Sequence, residues 1–224
     1  MLRQSKSIVF LGASGAVGSE ALNTVLSFSE IDKIMLLGRR KGKHTLSNTL
    51  TEKIVDISDS SSYEEYVKDF DTAICTLGVG EPSKTSKEEF VKIDKTAVLD
   101  FATVCKNNGV RHFQLLSSVG VSASSKSFFL RTKGELIVGL KALHFDRLSI
   151  FQPSMILTPT NRYGLSQAIV LKVWPKLDFI LQGNARKYRG IKMAELGKAI
   201  ANNSLTKGVG TEYLQYDDFK QLVK

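Results

Sequence analysis

The strongest constraint on the fold comes from the first 28 residues, where a short apolar run meets a glycine-rich turn. Residues 7–12, SIVFLG, have the continuous apolar character of a strand that is covered on both faces. Residues 14–28, SGAVGSEALNTVLSF, then carry apolar side chains at helical spacing. A strand that ends in glycine and leads directly into a helix predicts the first β–α turn of a parallel sheet.

The alternation of strands and helices continues to about residue 153. Further strands are expected at 33–38, 53–57, 71–78, 112–118 and 146–153. Helical patterns follow at 63–70, 87–109 and 132–143, and the longest of these ends at Asn-Gly, a common stop signal. Together the patterns predict an α/β fold, a doubly wound parallel sheet with helices on both faces and right-handed crossovers.

The last seventy or so residues are less regular. They contain a helical pattern at 192–203 and a strand followed by a helix at 212–223. By analogy with similar architectures, we expect 154–224 to form a small C-terminal cap on the substrate side. The chain of 224 residues is then a single domain, with its core at about 6–153.

Composition excludes several classes of protein. No apolar run approaches the ~20 residues that span a bilayer, and the short apolar stretch after the basic start fits a strand better than a signal peptide. Cys75 and Cys105 lack disulfide-framework or metal spacing, and His44, His112 and His144 are isolated, so no metal site is expected. We therefore expect a cytoplasmic protein without a membrane partner.

The chain is basic, since 31 Lys and Arg exceed 22 Asp and Glu by 9. Such an excess suits an anionic partner. However, the sequence contains no nucleic-acid-binding motif, and its aromatic and basic residues are not interleaved in a stacking pattern. Nucleic acid is therefore not expected, and the basic cluster GRRKGK at 38–43 points to a smaller anion.

The glycine-rich turn has the spacing GxxGxxG. Gly12 permits the tight turn, Gly15 lets the backbone approach a pyrophosphate, and Gly18 lets the helix pack closely on the sheet. The helix N-terminus adds free N–H groups and a partial positive charge. The predicted cofactor contacts in this turn are Gly12, Ser14, Gly15, Ala16, Val17 and Gly18. The alternative is a glycine-rich turn without a ligand.

The second strand indicates which dinucleotide is bound. NAD sites usually end this strand with an acid that holds the ribose 2′-OH, whereas here Arg39 and Arg40 follow it. Guanidinium groups suit a 2′-phosphate, which favours NADP(H) over NAD(H). The alternative is a solvated basic hairpin. Asp56 and Ile57 are expected beside the adenine, and the loop formed by Leu77, Gly78 and Val79 along the rest of the cofactor.

Five segments together resemble a known family. They are GASGAVG at 12–18, GRRK at 38–41, LLSS at 115–118, KGE at 133–135 and FDRLSIFQP at 145–153. In this order they resemble the short-chain dehydrogenase/reductase superfamily, in particular its small atypical branch and the Tat-interactive oxidoreductase-like proteins. The similarity covers about residues 7–160. It implies a Rossmann-type fold with bound NADP(H), with Ser117 and Pro153 among the cofactor-binding residues.

The resemblance also implies a catalytic Ser, Tyr and Lys, the last two spaced Tyr-x-x-x-Lys. Ser118 matches the serine and Lys133 matches the lysine, which also holds the nicotinamide ribose. Phe129 stands at the tyrosine position, so the proton donor of the family is absent. Lys133 acting through water, or Tyr163 from the C-terminal region, are candidate replacements.

Two functions follow from this departure. The first is an NADP(H)-dependent oxidoreductase with a degenerate triad, acting on an unknown small carbonyl substrate. The second is a non-catalytic NADP(H)-binding sensor or interaction module with a protein partner. Turnover of NADPH discriminates between them.

Overall fold

A computed structural model describes residues 6–42, 44–81, 84–158 and 180–224 of the chain. Its main strands are β1 (Lys6–Leu11), β2 (Ile31–Gly38), β3 (Leu50–Ile54), β4 (Thr72–Cys75), β5 (His112–Leu116), β6 (Arg147–Phe151) and β9 (Gly210–Leu214). They form one parallel sheet in the order β3-β2-β1-β4-β5-β6-β9. Two short strands, β7 (Met155–Leu157) and β8 (Gly190–Lys192), pair separately.

Helices cover both faces of the sheet, which confirms the doubly wound α/β prediction. They are α1 (Ala16–Val25), α2 (Lys87–Val91), α3 (Ala97–Asn107), α4 (Phe128–Ala142), α5 (Met193–Asn203) and α6 (Tyr216–Leu222). Neighbouring residues of β1 enter opposite cores: Val9 packs with Phe101 of α3, and Phe10 packs with Leu22 of α1. Two-sided burial explains why the first strand is apolar at consecutive positions.

The helix predicted at 87–109 is continuous but not uniform. A π-helical segment, Lys92–Thr96, joins α2 to α3. Such segments contain one extra residue per turn and occur frequently at functional sites. Asp94 lies within this segment and is buried.

Two local expectations differ most from the structure. The pattern at 63–70 forms the short 3-10 turn Glu64–Val67 instead of an α-helix, because the backbone is extended at Lys68 and has a positive φ of 63° at Asp69. The third strand, expected at 53–57, lies at Leu50–Ile54. There Leu50 pairs with Ile34, and the chain leaves the ladder after a last bond from Val55 N–H to Gly38 O.

The C-terminal region extends the sheet beyond the expected core. β9 pairs with β6 from Arg147 opposite Gly210 to Phe151 opposite Leu214. Helix α5 packs on α1 so closely that a Cβ at Gly197 would lie 2.7 Å from the backbone nitrogen of Ala21. This region therefore completes the sheet and one helical layer. No helix among the described residues is long and apolar enough to cross a membrane.

Candidate cofactor-binding and active site

The loop between β1 and α1 is built around two tightly packed glycines. Gly12 has φ +94°, and a Cβ there would lie 2.6 Å from the backbone nitrogen of Leu77. A Cβ at Gly18 would lie 2.2 Å from Gly12 O. Both positions therefore require glycine, because the loop passes directly over the end of β4.

The start of α1 is open to a ligand. The helix begins at Ala16, and its N-cap residue, Gly15, makes no side-chain capping bond. Ser14 and Gly15 are exposed, whereas Val17 and Gly18 are buried and support helix packing. The free N–H groups and the positive end of the helix dipole form a site for phosphate.

Arg39 and Arg40 follow β2 beside this loop. Both line a cavity of about 200 Å³ together with Gly12, Ser14 and Leu77. Neither guanidinium forms an ion pair or hydrogen bond with the part of the chain that the structure describes. Two uncompensated cations next to an open helix N-terminus favour an anionic ligand.

A larger cavity of about 550 Å³ adjoins this one and includes Arg39. Asp56, Ile57 and Ser58 form one wall, and Ser86, Glu88, Glu89, Lys92, Ile93 and Ala97 complete the lining. Asp56 Oδ1 accepts bonds from the Ser58 hydroxyl at 2.7 Å and its N–H at 2.9 Å, which lower the pKa of Asp56. The carboxylate is therefore fixed and ionised as an acceptor beside the cavity.

Lys133 lies one turn after the aromatic pair that begins α4. Its Nζ donates to Asp94 Oδ1 at 2.6 Å, and Asp94 Oδ2 accepts from the N–H of Val79 at 2.7 Å. A Cβ on Gly78 would lie only 3.1 Å from Asp94 Oδ1. One buried carboxylate thus connects the predicted lysine with the predicted 77–79 loop.

Sequence reasoning did not identify Asp94. Its position contained a signal, because Asp94 lies four residues after Phe90 and three before Ala97, both buried on the same helix. An acid on the apolar stripe of an amphipathic helix requires a partner, since charged side chains are almost never fully buried unpaired. The partner, 39 residues away, could not be inferred from spacing.

The serines after β5 lie beside the end of β6. Ser117 N–H donates to Phe151 O at 2.8 Å, while its buried hydroxyl has no partner among the described residues. The Ser118 hydroxyl is half-buried and also makes no bond with them. Val119 N–H donates to the carbonyl of the buried Pro153 at 3.0 Å. A buried, unpartnered hydroxyl is consistent with a ligand that supplies the missing bond.

The position four residues before Lys133 is apolar, since it is occupied by Phe129. The Phe129 ring packs edge-to-face on Phe90 at 4.9 Å, and Phe128 joins the same cluster. Lys133 Nζ lies 5.7 Å from the Phe90 ring centre. Helix α4 thus supplies a cation and an aromatic wall, with no hydroxyl at position 129. Tyr163, the candidate replacement acid, lies outside the described residues.

The fold and this site together define a dinucleotide-binding protein of the Rossmann type. A model of NAD(P)H-binding proteins matches residues 12–144. Protein HTATIP2 of Rattus norvegicus is 31% identical over 210 residues, covering 92% of this chain and 84% of that protein. Protein FMP52 of Candida albicans is 32% identical over 213 residues, covering 92% and 90%. The chain therefore belongs to the NAD(P)H-binding family, and the resemblance to atypical short-chain dehydrogenases is confirmed.

Solved structures agree on the fold. MoeE5 in complex with UDP-glucose and NAD matches with a TM-score of 0.71 at 16% identity, covering 93% of this chain and 75% of that one.

The expected cytoplasmic location is wrong. A cytoplasmic location conflicts with the FMP52 relatives from Meyerozyma guilliermondii, Candida albicans and Debaryomyces hansenii, all named mitochondrial. Composition could not reveal this, because it excluded only a conventional signal peptide and a membrane span.

Proposed function

We propose that this chain is an oxidoreductase that uses NADP(H) in preference to NAD(H) to reduce a carbonyl substrate. The main support for this cofactor preference is that Arg39 and Arg40, beside the phosphate loop, form no ion pair or hydrogen bond with the described residues. An acid at this point would repel a 2′-phosphate, and none follows β2. A bidentate guanidinium contact is among the strongest ways to hold such a phosphate.

Each part of the cleft, formed by the two adjoining cavities and the residues around Lys133, has a proposed role. The amides at the start of α1 would hold the pyrophosphate, the wall at Asp56 and Ile57 would hold the adenine, and Lys133 would hold the nicotinamide ribose. The cofactor supplies the hydride. Ser118 would donate a hydrogen bond to the carbonyl oxygen of the substrate, which becomes the alcohol oxygen.

That alcohol oxygen must also gain a proton, and Phe129 cannot supply it. The Lys133 side chain is 21% exposed, so its ammonium group is accessible to water that can carry a proton inward. A relayed proton is less effective than a positioned acid, which contributes roughly 10²–10⁴-fold in rate. Slow turnover is therefore expected. Tyr163 remains a second candidate, and Tyr163→Phe should reduce turnover if it is the acid.

The first test is a calorimetric titration of NADPH and NADH against the wild type and the double variant Arg39→Ala/Arg40→Ala. The loss of two charge-assisted contacts should weaken NADPH binding at least about 100-fold, because each contributes about 1.5–3 kcal/mol. NADH binding should change less than about threefold. Lys41→Ala is the matched control, since Lys41 belongs to the same basic cluster and lines neither cavity.

Each outcome is decisive. Equal wild-type affinity for NADPH and NADH would contradict the NADP(H) preference, and binding of neither would contradict the proposed function. Tight NADPH binding without turnover on any carbonyl of a broad panel would instead indicate a cofactor-binding sensor.

The location of the FMP52 relatives suggests a mitochondrial site of action for this chain as well. Fractionation of cells that express the full chain with a C-terminal tag tests this directly. Recovery outside the mitochondrial fraction would contradict it.

A further inference from the structure

We propose that Phe129 makes this cleft selective for a quinone, a flat conjugated ring whose two carbonyl groups are reduced together. The inference rests on the proposed function, because it names the substrate class of the same NADP(H) site. It gives the residue at the tyrosine position a role of its own, as a wall for the ring of the substrate.

The missing acid determines which products the site can form without help. Reduction of an isolated ketone leaves an alkoxide, and an aliphatic alcohol is about as weak an acid as water, whose pKa is about 15.7. Reduction of a quinone leaves a phenolate, and a phenol loses its proton at about pH 10, as tyrosine does. The phenolate is therefore a far weaker base and needs no positioned proton donor. Phe129 thus handicaps the reduction of a ketone but not that of a quinone.

The reaction balances without an acid from the protein. A hydride, with the electron pair of the C–H bond that breaks, passes from NADPH to one carbonyl oxygen of the quinone, where an O–H bond forms. NADPH is thereby oxidised to NADP⁺. The quinone ring becomes aromatic, and the negative charge is left on its opposite oxygen. A proton from the solvent neutralises that oxygen and gives the hydroquinone.

The Phe129 ring is anchored in an aromatic cluster and stays partly accessible. It packs edge-to-face on Phe90 with 4.9 Å between ring centres and against Phe128 with 5.6 Å. Phe90 is fully buried, whereas Phe129 is half-buried and keeps part of its ring surface exposed. Flat aromatic rings associate with such a surface by offset stacking or edge-to-face contact. The position that carries the acid in the family thus provides binding surface for a flat ring in this chain.

Two ammonium groups lie over the same aromatic cluster. Lys133 Nζ lies 5.7 Å from the centre of the Phe90 ring, and Lys87 Nζ lies 5.4 Å from that of Phe128. Lys133 is paired with Asp94, whereas Lys87 is exposed and forms no ion pair or hydrogen bond with the described residues. Preorganised cations stabilise negative charge that develops in the transition state. The anionic product of quinone reduction therefore forms beside positive charge.

The test compares menadione, a quinone with two fused rings, with α-tetralone, a ketone of similar size with two fused rings. The full chain receives saturating NADPH under anaerobic conditions, and NADPH oxidation is measured against a protein-free blank. The kcat/KM for menadione should exceed that for α-tetralone at least about 100-fold, because only the ketone requires the positioned acid. Equal values, or a preference for α-tetralone, would overturn the proposal.

Two substitutions at position 129 separate the aromatic ring from the missing acid. Phe129→Tyr keeps the ring and supplies an acid that only the ketone requires, so the preference for menadione should fall at least about tenfold. Phe129→Leu removes the ring and adds no acid. Menadione should then bind the NADP⁺-loaded protein about fivefold more weakly in equilibrium dialysis. An unchanged preference in Phe129→Tyr contradicts the proposal even if Phe129→Leu does not fold, and an unchanged affinity in Phe129→Leu contradicts it as well.

Tyr66 provides a matched control for the loss of an aromatic ring. Lys53 Nζ lies 4.8 Å from the centre of the Tyr66 ring, so this pair has the same lysine–aromatic arrangement, and Tyr66 is likewise half-buried. It lines neither of the two adjoining cavities. Tyr66→Leu should leave the affinity for menadione within about twofold of the wild type. Equal losses in Tyr66→Leu and Phe129→Leu would show a general effect of ring removal and would overturn the proposal.

The outcomes separate this inference from the proposed function. If the wild type binds no NADPH, the proposed function itself is wrong, and the inference falls with it. If the wild type binds NADPH and reduces α-tetralone but not menadione, the oxidoreductase stands and only the choice of a quinone is rejected. If it binds NADPH and reduces neither compound nor any other carbonyl, both are rejected.

Discussion

At the carboxyl end of the sheet, Arg39, Arg40 and the Ser117 hydroxyl lack partners among the described residues. At the amino end, by contrast, buried polar side chains bond one another. His112 Nε2 lies 2.7 Å from Ser149 Oγ, which donates its own hydrogen to Glu212. The serine oxygen therefore accepts from His112, which assigns the hydrogen of a neutral ring to Nε2.

The network at the amino end reaches across four elements, β5, β6, β9 and α5. Arg147 of β6 donates to Glu212 of β9 at 2.8 Å and to the Asn203 side chain at the end of α5 at 2.7 Å. Asn203 in turn donates to Gln114 and Ser149. These bonds tie the C-terminal strand and helix to the rest of the sheet.

This difference in hydrogen bonding distinguishes a candidate binding site at the carboxyl end of the sheet from a structural network at its amino end. The amino end also has a cavity, of about 370 Å³, lined by Lys6, Arg111 and Arg147. These three cations are already engaged, by Ser204 O, Asp71 and Glu212 respectively, and only the exposed Lys207 in the lining has no partner among the described residues. Volume and positive charge therefore do not distinguish the two ends, whereas unsatisfied hydrogen-bonding groups do.

The largest effect is expected from restoring the missing hydroxyl. Phe129→Tyr should raise NADPH-dependent turnover of carbonyl substrates about 100-fold, at the lower end of what a positioned acid contributes. The steady-state rate of NADPH oxidation measures this. Phe128→Tyr is the matched control, because it adds the same hydroxyl on the adjacent residue, out of the Tyr-x-x-x-Lys spacing. Equal rates for the two variants would show that the carboxyl end lacks more than an acid.

At the amino end, the largest effect should be on stability. Glu212→Ala leaves the buried Arg147 without its carboxylate, which should lower the free energy of unfolding by about 3 kcal/mol. NADPH affinity should not change. Asp217→Ala removes the partner of Arg186 in an exposed pair and should have a much smaller effect. Urea unfolding measures both, and equal losses would contradict the structural importance of the network.

The sequence predicted those parts of the site that depend on local pattern. The strand, glycine turn and helix at 7–28 are contiguous, and Arg39 was located by its place directly after β2. Lys133 was identified instead through the resemblance to the Tyr-x-x-x-Lys spacing of the family. These features follow from chain geometry over a few residues, because strand and helix periodicities are local. The doubly wound sheet followed from the same alternation.

The remaining features depend on long-range contacts. Glu212 lies 63 residues from Ser149, and Lys133 lies 39 from Asp94. β9 was recognised as a strand-like segment, but its place beside β6 depends on a long crossover between residues 154 and 209, in which only the helical pattern at 192–203 was recognised. Its exposed positions alternate with half-buried ones, as expected for an edge strand, so its pattern did not mark it as part of a core.

The pH dependence of stability should also distinguish the two ends. Burial, with Arg147 and Lys6 nearby, lowers the pKa of His112 to about 3, against 6.5 for a histidine in water. The unfolded chain binds a proton between these values and the folded chain does not. The free energy of unfolding should therefore fall as pH drops below about 6.5, by ~1.4 kcal/mol per unit from this group.

Urea unfolding at pH 7.5 and 5 tests this expectation. His112→Asn should show a shallower dependence on pH than the wild type, whatever its absolute stability. His144→Asn is the control, because His144 is exposed and its positive φ of 51° is tolerated by asparagine. An unchanged slope in His112→Asn would show that the ring is not held neutral by the network.

The smallest expected effect concerns the phosphate loop, where binding and stability can be separated by two glycines. Gly15 has φ −71°, which alanine adopts freely, and an added Cβ would meet only Gly12 O, at 3.2 Å. Gly15→Ala should therefore leave the free energy of unfolding within about 0.5 kcal/mol. NADPH should bind about tenfold more weakly, because the methyl group occupies the path of the pyrophosphate to the backbone.

Gly18→Ala is the counterpart of this variant, since its Cβ would lie 2.2 Å from Gly12 O and must displace the loop. It should lower stability and affinity together, whereas Gly15→Ala lowers affinity alone. Calorimetric titration with NADPH and urea unfolding of both variants provide the comparison. If Gly15→Ala binds NADPH as tightly as the wild type, the exposed turn between Ser14 and Ala16 does not contact the cofactor. Arg39, Arg40 and Ser117 would then be the remaining evidence that the carboxyl end, unlike the amino end, binds a ligand.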